Sequence, residues 1–74
     1  MRLSILGDAS LHLPLRVLNL LAQQGVDCTQ ASFVLGPDGC RILIDASAAS
    51  GERDELVVET LRSMVLVSQV DLLD

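Results

Sequence analysis

The chain has 74 residues, half of them hydrophobic, and carries ten acidic side chains against five arginines and no lysine, for a formal net charge of −5. This length predicts one domain over residues 1–74, and the acidic composition excludes the basic stripe on which nucleic-acid binding depends. The missing lysine excludes a Schiff-base nucleophile, and no apolar stretch reaches the ~18 residues of a membrane-spanning helix.

The first two predicted elements are a short strand and a helix. Residues 2–7 alternate in polarity and place Leu3 and Ile5 on one face of a strand. Ser10 is the predicted N-cap of the helix that follows, and Gly25 is its predicted left-handed C-terminal residue. Helical spacing assigns the apolar face of this helix to Leu15, Leu18 and Ala22, flanked by Val17 and Leu21.

The middle of the chain predicts a β-hairpin. Residues 28–35 and 40–46 form its strands, and the sequence Gly-Pro-Asp-Gly at 36–39 is a strong turn signal. One face of the first strand carries three apolar residues: Ala31, Phe33 and Leu35. On the second strand, Ile42 and Ile44 are expected to face inward, and Arg41 and Asp45 outward.

The last third of the chain predicts a second helix and a closing strand. Ser50 is the predicted N-cap, and acidic residues suit the positive end of the helix dipole in the first turns: Glu52, Asp54 and Glu55. The predicted apolar face comprises Val57, Val58, Leu61, Met64 and Val65. Residues 69–74 are predicted to form the final strand.

The element order β-α-β-β-α-β predicts a ferredoxin-like α+β sandwich. Right-handed crossovers give a four-stranded antiparallel sheet with both helices on one face. The bare sheet face and the two sheet edges are then the expected partner surfaces. Because the only aromatic residue is Phe33, the core is thin, and we expect the chain to form at least a dimer.

Two segments resemble a known family. Residues 15–27 are similar to the first helix of ACT domains in acetolactate synthase regulatory subunits. The shared features are an Arg-Val pair followed by an apolar pair, a polar couplet and Gly. Residues 61–70 are similar to the segment that closes the same domains. The resemblance covers the whole chain from Arg2 to Leu73 and is greatest to short subunits with a single ACT domain. It implies the ACT form of the ferredoxin-like fold.

The resemblance also implies a ligand loop between the first strand and the first helix. In the family this loop carries Asn or Asp and then Gly, which lets backbone N–H groups meet an amino-acid ligand. Alignment on Arg16 and Val17 puts His12 at the glycine position and Ala9 at the asparagine position. A Cβ at position 12 hinders the close backbone approach that glycine permits. The candidate ligand-binding residues, in a degenerate form of the loop, are Asp8, Ala9, Ser10, Leu11, His12 and Leu13.

No residue pattern predicts catalysis or metal binding. His12 lies near Ser10 and Asp8, but sequence neighbours do not make a triad, and its other roles are a loop or interface contact or an ordinary surface position. Cys28 and Cys40 lack the C-x-x-C spacing of metal sites. We expect both to be reduced, buried and inert, although a hairpin could bring them close together.

By resemblance, the chain is a non-catalytic regulatory subunit of a cytoplasmic acetolactate synthase in branched-chain amino-acid biosynthesis. Its expected partner is the catalytic large subunit, which holds the thiamine diphosphate, FAD and magnesium, so the chain needs no cofactor of its own. Two alternatives stay open: a stand-alone amino-acid sensor with a site at a dimer interface, and a purely structural dimerisation module. ACT domains pair side by side into an eight-stranded sheet, or back to back.

Overall fold

The computed structural model describes residues 1–47 and 51–73, and it describes the side chains of the second helix from Asp54 onward. The elements follow the predicted order β-α-β-β-α-β. Their bounds are β1 Arg2–Gly7, α1 His12–Gln23, β2 Cys28–Gly36, β3 Gly39–Ala46, α2 Gly51–Arg62 and β4 Val67–Leu72.

The four strands form one antiparallel sheet in the order β2-β3-β1-β4. The first strand therefore lies inside the sheet, while β2 and β4 form its edges. Both helices pack on one face, which confirms the predicted ferredoxin-like architecture. Among the side chains that the structure describes, those buried in the core between helices and sheet are apolar: Leu3, Ile5, Leu13, Val17, Leu21, Cys40, Ile42, Ile44, Ala46, Val57, Val58, Leu61 and Val70.

The buried face of α1 differs from the predicted one. Leu13, Val17 and Leu21 are buried with Pro14, whereas Leu15 is 59% exposed and Leu18 37% exposed. The helix carries two leucine stripes on different sides, and periodicity alone does not tell which stripe meets the sheet. The N-cap prediction was also wrong, because Leu11 occupies that position and makes no side-chain cap.

The end of α1 confirms the predicted role of Gly25. Its φ of 72° is left-handed, its N–H donates to the carbonyl of Ala22 at 3.1 Å, and the N–H of Val26 donates to Leu21 at 3.0 Å. These two bonds make a Schellman motif, which satisfies the last carbonyls of the helix. The motif turns the chain back toward β2.

The hairpin is also confirmed. Gly36 pairs with Gly39 across the two-residue loop Pro37–Asp38, and Gly39 has a φ of 152° that disfavours other residues. Ile42 and Ile44 point into the core, and Arg41 is exposed. The strand β3 is therefore well buried on one side over its whole length.

The second helix follows the prediction up to its end. Val57, Val58 and Leu61 are buried and Met64 is half-buried, but Val65 is 96% exposed because α2 ends at Arg62. The final strand begins at residue 67, two positions before the predicted start. Ser50, the side chain of Glu52 and residue 74 lie outside the described residues.

Candidate functional site

The predicted ligand loop joins the end of β1 to the start of α1. At Gly7 the pairing of β1 with β4 shifts register, and the next residue, Asp8, donates its N–H to the carbonyl of Leu66 at 2.9 Å. A Cβ on Gly7 would overlap the Leu66 carbonyl oxygen and the Leu13 side chain. The loop is therefore held against the segment that leads from α2 into β4.

The backbone donors of the loop are largely engaged within the chain. Besides that of Asp8, the N–H of Ser10 donates to the carbonyl of Asp8 at 2.8 Å. The N–H of Leu13 donates to the carbonyl of Ser10 at 3.1 Å, and the N–H of His12 donates to the Ser10 hydroxyl at 3.2 Å. Ser10 thus supports the first turn of α1 without occupying the N-cap. Four N–H groups of the loop already have internal acceptors.

The six candidate ligand-binding residues do not share one environment. Leu13 is fully buried and packs in the core, so a ligand in the loop has no access to its side chain. Ser10 is half-buried. The others are exposed: Asp8, Ala9, Leu11 and His12.

The loop does not assemble an acid–base site from its polar residues. The Ser10 hydroxyl contacts the main chain of His12. Within residues 1–47 and 51–73, no three His, Cys, Asp or Glu residues form a group that could hold a metal ion. The hydrogen bonds of this loop therefore tie Ser10 to the start of α1 and do not join it to the His12 side chain as a triad would.

The two cysteines lie in different environments. Cys40 is buried in the core, and burial raises the pKa of its thiol. Cys28 is exposed at the start of β2, and its thiol donates to the carbonyl of Gln30 at 3.5 Å, so the prediction that it is buried was wrong. The register pairs Cys28 with Ala46 and Cys40 with Leu35, which places the two thiols at opposite ends of the hairpin.

The strand β2 is exposed along its length, including the face that was predicted to carry three apolar residues. Ala31, Phe33 and Leu35 pair with the buried residues Ile44, Ile42 and Cys40, so they point to the helix side of the sheet. Yet all three are exposed. The absence of charge from this strand was the available sequence signal for an edge open to pairing with another strand.

The sheet face opposite the helices is more polar. It carries Ser4, Asp45 and Asp71, with the hydrophobic Leu43 near its centre. The Arg2 guanidinium Nε donates to Asp45 at 2.8 Å, in an ion pair that is largely open to solvent. A shallow hollow beside this pair is lined by Arg2, Gln30, Ser32, Leu43, Ile44, Asp45 and Leu73.

Comparison with solved structures identifies the fold. The structure matches the ACT domain of the GTP pyrophosphokinase from Chlorobium tepidum with a TM-score of 0.84 and 8% identity, over 95% of this chain and 91% of the other. It matches the acetolactate synthase small subunit from Thermotoga maritima with a TM-score of 0.78 and 19% identity, over 95% of this chain and 44% of that subunit. The chain thus spans less than half of that subunit.

A third solved structure with a similar fold comes from a protein of another name. The C-terminal domain of the MgtC protein from Mycobacterium tuberculosis aligns with a TM-score of 0.71 and 11% identity, over 95% of this chain and 80% of the domain. No family model and no curated protein matches the sequence. The ACT-type ferredoxin-like fold is therefore established by structure.

No helix in the described part of the chain has the length and apolar character needed to cross a membrane.

Proposed function

We propose that the chain is a non-catalytic regulatory domain of the ACT type, formed by residues 1–74, that acts by binding a catalytic protein. The proposal rests on a difference between two parts of the molecule, the loop of residues 8–13 and the exposed surfaces of the sheet. Four N–H groups of residues 8–13 are bonded within the chain, whereas a sheet face and a whole edge strand have no covering element among the described residues. Such surfaces suit protein partners better than a small ligand.

The proposed partner is the catalytic subunit of an acetolactate synthase in the cytoplasm. Two observations support this choice: the similarity of residues 15–27 and 61–70 to the regulatory subunits, and the structural match to the small subunit from Thermotoga maritima. The partner would supply the thiamine diphosphate, FAD and magnesium. The part of this chain that the structure describes has no cluster of metal ligands.

Feedback binding of a branched-chain amino acid is the weaker alternative. A ligand carboxylate needs free N–H donors, and those of Asp8, Ser10, His12 and Leu13 have internal acceptors. His12 also places a Cβ where the family has glycine. We therefore propose that the domain supports its partner without making it sensitive to valine.

The test uses the catalytic subunit from the same organism, purified without its regulatory chain. Adding this chain should produce a co-eluting complex in gel filtration and raise the rate of acetolactate formation. Valine at millimolar concentration should leave that rate unchanged. If the two proteins elute separately at tens of micromolar and the rate is unaffected, the proposed partner is wrong. If valine lowers the rate, the loop is a working ligand site.

A further inference from the structure

The open face of the sheet, opposite the helices, carries its side chains in rows that cross the strands. Alternate residues of a strand point to the same side, so the register shows which residues share a row. The rows contain, in turn, Val34, Arg41, Leu6 and Gln69; Ser32, Leu43, Ser4 and Asp71; and Gln30, Asp45 and Arg2. Side chains of one row lie within reach of one another across the strands.

The two cations of this face differ in their surroundings. Arg2, in the third row, is paired with Asp45 at 2.8 Å, so this carboxylate is already engaged. Arg41, in the first row, is exposed, and none of the residues that the structure describes forms an ion pair with it. Its neighbours across the strands are Val34 and Leu6, which carry no charge. The positive charge of Arg41 is therefore free to attract a carboxylate from another molecule.

Three aliphatic side chains surround Arg41. Val34 and Leu6 lie across from it, and Leu43 follows two positions later on the same face of β3; Val34 is 71% exposed. A hollow of about 520 Å³ opens beside this row, with Arg41, Val34 and Leu6 in its wall. Asp38 also lines the hollow but forms no ion pair with Arg41. Protein interfaces have apolar centres and are enriched in arginine, which is the composition found here.

Charge indicates which kind of partner fits this surface. The remaining acidic residue of the rows, Asp71, lies two strands away from Arg41 and accepts a hydrogen bond from Gln69 at 2.7 Å. The complement of the Arg41 surroundings is a segment with an aspartate or glutamate between aliphatic residues. Its carboxylate can accept two parallel hydrogen bonds from the guanidinium, and its aliphatic residues can cover Val34 and Leu43.

A second copy of this chain does not complement the same surface. In a two-fold stack of sheet faces, each residue near the axis meets its own counterpart. A stack centred on Arg41 would therefore bring two guanidinium groups together. A copy that offered an acidic residue from another part of its surface would make a contact that does not close on itself. The occupant that fits is a different protein.

We infer that the open sheet face around Arg41 is the surface through which this domain binds its catalytic partner, and that the partner presents a carboxylate flanked by aliphatic side chains. The Arg41 guanidinium pairs with this carboxylate, while Val34, Leu6 and Leu43 are covered. The inference rests on the proposed function, because it names the place where the catalytic subunit binds. The helix side of β2, which carries Leu35, stays outside the contact.

The test measures the affinity of the purified catalytic subunit for charge variants of this chain by bio-layer interferometry. Arg41→Glu is compared with Arg16→Glu on α1, because both arginines are exposed and both variants change the net charge equally. Arg41→Glu should raise the dissociation constant at least 100-fold, since it brings like charges into contact, and Arg16→Glu less than about threefold. Arg41→Lys should weaken binding about tenfold, because it keeps the charge but loses the planar donor pair.

A second pair of variants separates the open face from the edge strand. Leu43 and Leu35 are 46% and 45% exposed, but Leu35 lies on the helix side of β2. Leu43→Ala should raise the dissociation constant at least tenfold, and Leu35→Ala less than about threefold. Far-ultraviolet circular dichroism checks that each variant is folded. Should Arg41→Glu not fold, Arg41→Gln replaces it.

The possible results distinguish this inference from the proposed function. If Arg41→Glu binds the catalytic subunit as tightly as the wild type does, the inference is wrong and the proposed function stands. The same holds if Leu35→Ala weakens binding more than Leu43→Ala does, because the contact then lies at the β2 edge. If the wild-type chain does not bind the subunit at tens of micromolar, the proposed function and the inference are both wrong.

Discussion

The main chain of Gly7 lies directly against the carbonyl oxygen of Leu66, and the next amide, that of Asp8, donates a hydrogen bond to the same oxygen at 2.9 Å. This contact ties the end of β1 to the entrance of β4. It leaves no room for a side chain at position 7, because a Cβ there would also lie 2.6 Å from a methyl carbon of Leu13.

We expect Gly7→Ala to lower the free energy of unfolding by ~2 kcal/mol, since backbone atoms must move to admit the new methyl group. Urea denaturation at a fixed protein concentration measures the change. Gly36→Ala is the control, because a Cβ on Gly36 would lie 3.9 Å from the Gly39 carbonyl oxygen, an ordinary contact. Its effect should stay within ~0.5 kcal/mol. Equal losses in the two variants would show that the Leu66 contact is not restrictive.

Two leucines of α2 should differ strongly in their contribution to stability. Leu61 is fully buried and Leu56 is 57% exposed, although both belong to the same helix. Leu61→Ala should cost ~3 kcal/mol through lost burial and a cavity, and Leu56→Ala no more than ~0.5 kcal/mol. Urea denaturation at one protein concentration compares them. A large loss for Leu56→Ala would mean that this side chain is covered in solution.

The buried thiol of Cys40 should make stability fall at alkaline pH. Burial raises the pKa of this thiol in the folded chain, so above about pH 9 the unfolded chain releases a proton that the folded chain retains. Raising the pH above about 9 therefore favours unfolding. At lower pH the thiol is protonated in both states, so its effect on the free energy of unfolding does not change with pH. The chain has no lysine or tyrosine to obscure the effect.

Urea denaturation between pH 7 and pH 10.5 tests this dependence. Cys40→Ala should be less stable at neutral pH because of the cavity, but its stability should fall less steeply above pH 9. Cys28→Ala, which changes an exposed thiol, should retain the wild-type fall. If the free energy of unfolding of Cys40→Ala falls as steeply above pH 9 as that of the wild type, this explanation is wrong.

The degenerate loop can be converted toward the family pattern. His12→Gly removes a Cβ and frees φ at the first residue of α1, at a cost of ~0.5–1 kcal/mol in stability, and Ala9→Asn adds an amide that can donate to a carboxylate. The wild-type chain should bind valine, leucine and isoleucine weakly or not at all by calorimetric titration. The double variant should bind at least one of them measurably better.

Two results would contradict this account of the loop. Tight binding by the unmodified chain would show that the missing glycine does not matter. No gain in the double variant would show that no ligand site exists at residues 8–13, which leaves support of a partner as the function.

The sequence predicted the order and type of all six elements because each carries its own local signal. The turn at Gly36–Gly39 and the C-terminal Gly25 are examples, since both depend on backbone conformations that few other residues adopt. The first strand was predicted with its observed bounds, and β4 was misplaced by two residues.

The side of α1 that faces the core was not predictable in the same way. Leu15 and Leu18 have the same hydrophobicity and helical spacing as Leu13, Val17 and Leu21, so only the tertiary arrangement decides which stripe is buried. The same limit applies to the candidate ligand loop, where the sequence did not show which residues are buried. Leu13 was grouped with it by sequence position, but the helix begins at His12 and turns Leu13 into the core.

The central position of β1 has a consequence for how the molecule folds. The hairpin of β2 and β3 can close locally through a two-residue turn, within microseconds. By contrast, β1 pairs with β3 some 40 positions away and with β4 more than 60 positions away, as in Arg2 with Asp45 and Leu3 with Leu72. Since such distant contacts are slow to form, the hairpin should be the early template on which the first strand docks, with β4 completing the sheet last.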